Sequence, residues 1–256
     1  MYRIGFAAKS VIIVKGRSML SKNEIKDIQS LSHKKFRDES GLFIAEGPKI
    51  VEELIQLVPS QVEHVYATPE WEYEAPKDIS VINVTGKELE RISQLQTPNK
   101  VLAVVKKFAA SKVSPGITVY LDSIQDPGNM GTIIRTADWF GVQHIVCTGN
   151  CADIYNPKVV QSTMGSVARV NVFYDDGLEW LLSQNQNIYA AVLDGSPISQ
   201  INKEKSCVII IGNESRGISD AVLKYATKNI TIPRKGSAES LNAAVATGII
   251  LSHLVN

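Results

Sequence analysis

The sequence predicts an α/β protein of two units, a small α/β unit followed by a larger one whose parallel sheet is covered by helices on both faces. Three observations carry that expectation. Short β-branched runs alternate with helical patterns throughout residues 117–256, and such alternation builds parallel sheets buried on both sides. A shorter mixture of strands and helices fills residues 19–107. Between them, residues 108–116 gather Ser111, Ser114, Pro115 and Gly116, the composition of a linker. Residues 1–18 read as an upstream extension, with the main chain of the fold starting near Met19.

Taken in order, Ser21 followed by Glu24 is a capping-box pattern and opens a basic helix running to about Lys35. Leu42–Ala45 is a short apolar strand. Pro48 starts a helix with Ile50, Val51, Leu54, Ile55 and Val58 on one face. Strands fit Val62–Thr68, Ile79–Val84 and Val101–Val105, with a helix near Lys87–Leu95. In the second unit, strands fit Ile117–Leu121, His144–Thr148, Val170–Phe173, Ile188–Leu193, Cys207–Ile211 and Asn229–Ile232, and a helix over Ser240–Leu254 closes the chain. There is no internal repeat and no low-complexity segment.

Composition bounds the function. The 256 residues are 44% hydrophobic, enough for a buried core. A net charge of +1 excludes a molecule that is basic all over. Yet residues 1–37 carry nine Lys and Arg against Glu24 and Asp27, a basic end that either solubilises the chain or attracts a phosphate backbone. Three cysteines without a CxxC pair point to reduced thiols in the cytoplasm, Cys147 and Cys207 being buried strand residues. The four histidines form no zinc pattern, and no apolar run approaches the roughly 18 residues a membrane span needs. No metal and no membrane are therefore expected.

Three strand ends are too unusual to be plain connections. The first, Leu121 to Ala137, runs from a strand through Pro127-Gly128-Asn129 into a helix that presents Arg135 in its second turn. Gly128 and Gly131 permit close backbone approach. A helix N-terminus with an Arg is a natural phosphate site, and the alternative is a tight turn with a surface Arg. In the second, the strand Val208–Ile211 ends in Gly212-Asn213-Glu214, where ligands bind in open α/β sheets; otherwise Glu214 is a helix N-cap acid. The third passes from Ile232-Pro233 through Gly236 to Ser240-Leu241-Asn242 and the small residues Ala243, Ala244, Ala246 and Gly248. Ser240 is there either a site residue or an N-cap. No GxGxxG, P-loop or G-x-S-x-G pattern is present.

Jointly, Asn129-x-Gly-x-x-x-Arg135, Gly212-Asn-Glu-x-x-Gly217 and Ile232-Pro…Ser240-Leu-Asn242-x-Ala resemble the three motifs of the SpoU (TrmH-like) RNA methyltransferases of the SPOUT superfamily, over residues 117–256. The run Lys34-Lys-Phe-Arg37…Gly41-Leu-Phe-Ile-Ala-Glu46-Gly47…Glu52 is similar to the RNA-binding domain that precedes the catalytic domain in many ribosomal-RNA members. The resemblance implies a parallel sheet with a deep trefoil knot, which no periodicity argument would propose. It implies transfer of the S-adenosylmethionine (AdoMet) methyl group to an RNA ribose 2′-oxygen, with ribosomal RNA favoured over transfer RNA. Gly212, Ile232 and Leu241 would line the cofactor pocket. Arg135, Asn129, Glu214, Ser240 and Asn242 would form the catalytic set, Lys34, Lys35 and Arg37 would contact RNA, and the chain would be a homodimer whose interface lies beside the cofactor. Two rivals are a non-catalytic RNA-binding protein that keeps the fold, against which the intact motifs count, and an AdoMet enzyme for a small molecule, against which the basic first unit counts.

Overall fold

A computed structural model of the chain describes residues 19–109, 111 and 113–255. The extension expected over residues 1–18, with its Arg3, Lys9, Lys15 and Arg17, lies outside them. The first unit comprises α1 (Lys22–Ser30), α2 (Lys34–Ser40), β1 (Leu42–Glu46), α3 (Pro48–Leu57), β2 (Val62–Ala67), β3 (Val81–Asn83), α4 (Gly86–Ile92) and β4 (Val101–Lys106). Its sheet has the order β1-β4-β2-β3, antiparallel except for the β2–β3 pair. The second unit comprises β5 (Ile117–Leu121), α5 (Pro127–Trp139), β6 (His144–Cys147), α6 (Pro157–Thr163), β7 (Asn171–Tyr174), α7 (Glu179–Leu182), β8 (Ile188–Pro197), β9 (Cys207–Ile211), α8 (Asp220–Leu223), β10 (Lys228–Thr231) and α9 (Ala243–Val255). Its six strands, ordered β10-β8-β9-β5-β6-β7, are all parallel.

Both sheets are two-faced because strand side chains alternate. Along β9, Cys207, Ile209 and Ile211 enter one apolar cluster with Ile133, Val159 and Leu251 from α5, α6 and α9. Val208 and Ile210 enter another with Leu181 and Val222 from α7 and α8. Helices therefore cover both faces, and each fully buried Val or Ile contributes roughly 1.5–3 kcal/mol. In the first sheet, Ile44, Leu102 and Val104 pack on α1 and α4, while Phe43, Ala103 and Val105 pack on α3 and belong to the same cluster as the second unit's core.

The two units are thus fused through one core. Phe43 and Tyr155 rings lie 4.8 Å apart. The Tyr155 hydroxyl accepts from the Phe108 N–H at 2.8 Å. Beside this contact the Arg37 guanidinium pairs with Asp153 at 2.6 Å and donates to the Leu31 and Ser32 carbonyls. Arg169 reaches both Glu53 and Asp138.

Local departures from the sequence reading have physical causes. The basic helix expected from Ser21 to Lys35 is two helices, because the chain turns at Leu31–His33 and Arg37 closes that turn by binding its carbonyls. Gly41 ends α2 in the left-handed conformation (φ 69°) that glycine adopts most readily. The strand expected to stop at Leu193 continues to Pro197, since β10 pairs with its polar second half. Gly195 makes that possible: a Cβ there would lie 2.8 Å from the Asn229 backbone. The closing helix starts at Ala243, not Ser240, because the Asn242 side chain accepts from the Ala244 and Val245 N–H groups at 2.9 and 3.3 Å.

Candidate active site

The cleft of the second unit forms where the sheet's carboxyl edge is deepest. Past the ends of β9 and β10, the Gly212–Ile218 loop, the Ile232–Leu241 loop and the first turns of α9 enclose about 700 Å³. Gly212, Ile232 and Leu241 all line it. Gly212 is required by the backbone: the loop folds back so that Asn213 and Gly217 exchange hydrogen bonds at 3.0 and 2.8 Å, and a Cβ on Gly212 would meet the Gly217 carbonyl carbon at 2.4 Å. The Asn213 side chain accepts from the Ser215 and Arg216 N–H groups and donates to the Ser123 carbonyl at 2.8 Å. The buried Asp122 carboxylate accepts from Ser219 N–H at 2.7 Å. Both ends of the loop are thereby tied to the segment after β5.

At the cleft's edge the three motif segments meet through side chains. Asn129 donates its amide N–H to the Glu214 carboxylate, and Asn242 donates to the Asn129 Oδ1 at 2.7 Å. A carboxylate only accepts, so Asn129 must turn its nitrogen to Glu214 and its oxygen to Asn242. Asn242 in turn spends its own oxygen on capping α9. Residues 85 and 113 positions apart in sequence are locked into one chain of hydrogen bonds. Ser240 lines the cleft and is exposed.

Arg135 lies elsewhere. The helix begins at Pro127, capped by Asp126, whose carboxylate accepts from Asn129 N–H at 2.7 Å. Asn129 is therefore in the first turn and Arg135 in the third, about 9 Å further along the axis. Arg135 is exposed, is not among the cleft's lining residues, and forms no hydrogen bond or ion pair among the described residues. It shares an exposed stripe of α5 with Trp139, beside α9, whose Val245 and Ile249 are also exposed. The close approach expected at Gly131 is to α6, where a Cβ would meet Ser162 at 2.5 Å and the Val159 carbonyl at 2.6 Å.

The basic residues singled out in the first unit also divide. Lys34 and Lys35 are exposed but lie beside Asp38 and Glu39 one helical turn on. Arg37 is 1% exposed and directs its guanidinium at Asp153 and two carbonyls, so its burial takes it out of the RNA-contacting set. Its burial follows from Asp153, which sequence spacing gave no means of finding. Asp126 was findable, since an Asp before Pro is an N-cap signal; the bonds of Asp122 and Asn213 span 97 and 90 positions and were not.

The cleft fits AdoMet. Its volume is within the usual range for a small-molecule site. Ile230, Ile232, Ala243, Ala246 and Ile250 supply apolar walls for an adenine and an aliphatic chain, and the exposed loop past Pro233 offers main-chain polar groups. Among the described residues no group of three or more His, Cys, Asp or Glu could hold a metal ion, and no helix is long and apolar enough to cross a membrane.

The sequence profile of the SpoU rRNA Methylase family matches residues 116–252, and that of the MRM3-like substrate binding domain matches residues 22–103. The chain is 32% identical to the 23S rRNA (guanosine(2553)-2′-O)-methyltransferase RlmP of Bacillus subtilis, over 91% of this chain and 97% of that protein. Among solved structures it is similar to an RNA methyltransferase of the TrmH family from Porphyromonas gingivalis (37% identity, TM-score 0.83, 93% of this chain and 98% of that one). It is also similar to an AdoMet-bound rRNA methyltransferase from Sinorhizobium meliloti (31% identity, TM-score 0.82, 94% and 97%). By sequence and by fold, the chain belongs to the SpoU rRNA methylase family.

Proposed function

We propose that this chain transfers the methyl group of AdoMet to a ribose 2′-hydroxyl of ribosomal RNA. The observation that carries the reading is the convergence of Asn129, Glu214 and Asn242 at the edge of the cleft lined by Gly212, Ile232 and Leu241. When bound, AdoMet supplies a methyl group already activated by a sulfonium, so the protein's task is to hold and orient the two reactants. Gly212, Ile232 and Leu241 shape the cofactor pocket. Asn129, Glu214, Asn242 and Ser240 position the ribose at its mouth. The Arg135 guanidinium, which offers N–H donors and no acceptor, stabilises the alkoxide that develops on the 2′-oxygen.

In this reading residues 19–107 are the RNA substrate-binding domain, 108–116 the linker and 117–256 the catalytic domain. The catalytic chain forms a deep trefoil knot; the support is that the Gly212 and Ile232–Leu241 loops close on one cleft before α9 returns to pack on α5. The enzyme works in the cytoplasm as a homodimer and needs no metal. The exposed Trp139, Val245 and Ile249 supply an apolar face for the dimer, and burying it brings Arg135 into the interface beside the cleft. The test is mass-spectrometric mapping of ribose methylation in cellular RNA with and without the gene, alongside calorimetric AdoMet titration with and without EDTA. A ribosomal-RNA 2′-O-methyl group that disappears with the gene is expected. A methyl group lost from transfer RNA instead would redirect the substrate, and no lost methyl group would overturn the reading.

A further inference from the structure

Arg216, Arg234 and Lys235 all line the cleft, come from two different loops, and are exposed. Arg216 follows Glu214 in the loop sewn down by Asn213, so its backbone is fixed. Arg234 donates to the Ala238 carbonyl within its own loop at 3.3 Å. Among the described residues none of the three is within ion-pair distance of an acid. The cations that the sequence marked for RNA, by contrast, are paired: Lys34 with Asp38, Lys35 with Glu39 and Arg37 with Asp153. The cleft's own acids do not cancel the patch, since Glu214 is turned onto Asn129 and Glu239 is one carboxylate against three cations.

We infer that Arg216, Arg234 and Lys235 form a phosphate clamp for the RNA strand that carries the target ribose, holding the backbone across the mouth of the cleft. The inference rests on the proposed function and extends it to named contacts. Uncompensated guanidinium and ammonium groups converging on one opening suit a polyanion, and Arg offers two donors to each phosphate. A strand held there is gripped by its backbone and not by its bases, so the clamp contributes affinity and register without sequence preference.

The test compares the full-length protein with the triple variant Arg216→Ala, Arg234→Ala, Lys235→Ala. RNA affinity is measured across a salt series with single-stranded ribosomal-RNA fragments, alongside calorimetric AdoMet titration and thermal melting. Each single-strand phosphate contact contributes about 0.7 to the slope of log affinity against log salt, so the slope should fall by about two. The melting temperature should stay at the wild-type value. An unchanged salt slope overturns the clamp. A weakened AdoMet affinity with an unchanged slope also overturns it, by assigning these cations to the cofactor's carboxylate. Failure of the underlying reading looks different: the wild-type protein itself would then transfer no methyl group to RNA.

Discussion

Asn129 works by having two different ends. Its nitrogen faces the Glu214 carboxylate and its oxygen faces the Asn242 amide, a polarity that only an amide supplies. Asn129→Asp would set two carboxylates against each other. Methyl transfer at neutral pH should fall by at least about a hundredfold, on the scale of losing one charge-orienting group. Two carboxylates in contact raise the pKa of one of them. A proton taken up as pH falls restores a donor, so activity should recover partly on the acid side; a pH–rate profile of the same shape as wild type would reject this account. Arg135 is a separate test. Arg135→Ala should lose single-turnover methyl transfer by at least about a hundredfold, with AdoMet affinity intact because the residue does not line the cleft. Lys should rescue only partly, lacking the planar fork. Near-normal transfer by Arg135→Ala would remove the role given to it.

At the scale of elements, the cleft depends on backbone closeness and the first unit on a buried ion pair. Gly212→Ala places a methyl group against the Gly217 main chain, which cannot swing aside as a flexible side chain can. The loop must move, and AdoMet affinity should fall at least about tenfold, equivalent to about 1.4 kcal/mol. Titration showing wild-type affinity would mean that the loop does not shape the pocket. Arg37→Ala leaves Asp153 and two carbonyls of the α1–α2 turn without their partner. Removing one half of a buried pair costs about 3–5 kcal/mol, so the melting temperature should drop markedly. Because Arg37 touches no solvent, the salt slope of RNA binding should not change; a lower slope in a stably folded variant would return Arg37 to the RNA-binding set.

At the scale of the molecule, the two units share one apolar core through Phe43, Phe108 and Tyr155. The first unit is therefore packed directly onto the second and not joined to it by the linker alone. The exposed apolar face lies on the other partnership, that of α5 with α9, where Trp139 is 84% and Val245 51% exposed. Sedimentation should show a dimer at micromolar concentration, unaffected by reducing agent since all three cysteines are free and buried. A Trp139→Glu, Val245→Glu variant should sediment as a monomer and lose methyl transfer while still melting cooperatively; a dimer that survives both charges would place the interface elsewhere.

Much of this was already legible as sequence. Strand β9 reads from four consecutive β-branched residues, α3 from the spacing of Ile50, Val51, Leu54 and Ile55, and the motif residues from their odd placement at strand ends. These are local properties, set by side-chain shape and periodicity within one element. The capping pattern at Thr85 and Glu88 was equally local, yet α4 was expected one residue later. What required the tertiary structure was every decision made between elements. The second half of β8 is a strand only because β10 lies beside it. Arg37 is a structural bridge and not an RNA contact only because Asp153, 116 positions away, reaches it. Arg135 lies apart from Asn129 because the helix starts at Pro127 and carries it two turns on. Burial and pairing over such distances follow from how chain segments are brought together. The sequence by itself determined the elements and the chemistry they carry; the packing decided which of those groups face each other, which face water, and which cations are left uncompensated at the cleft.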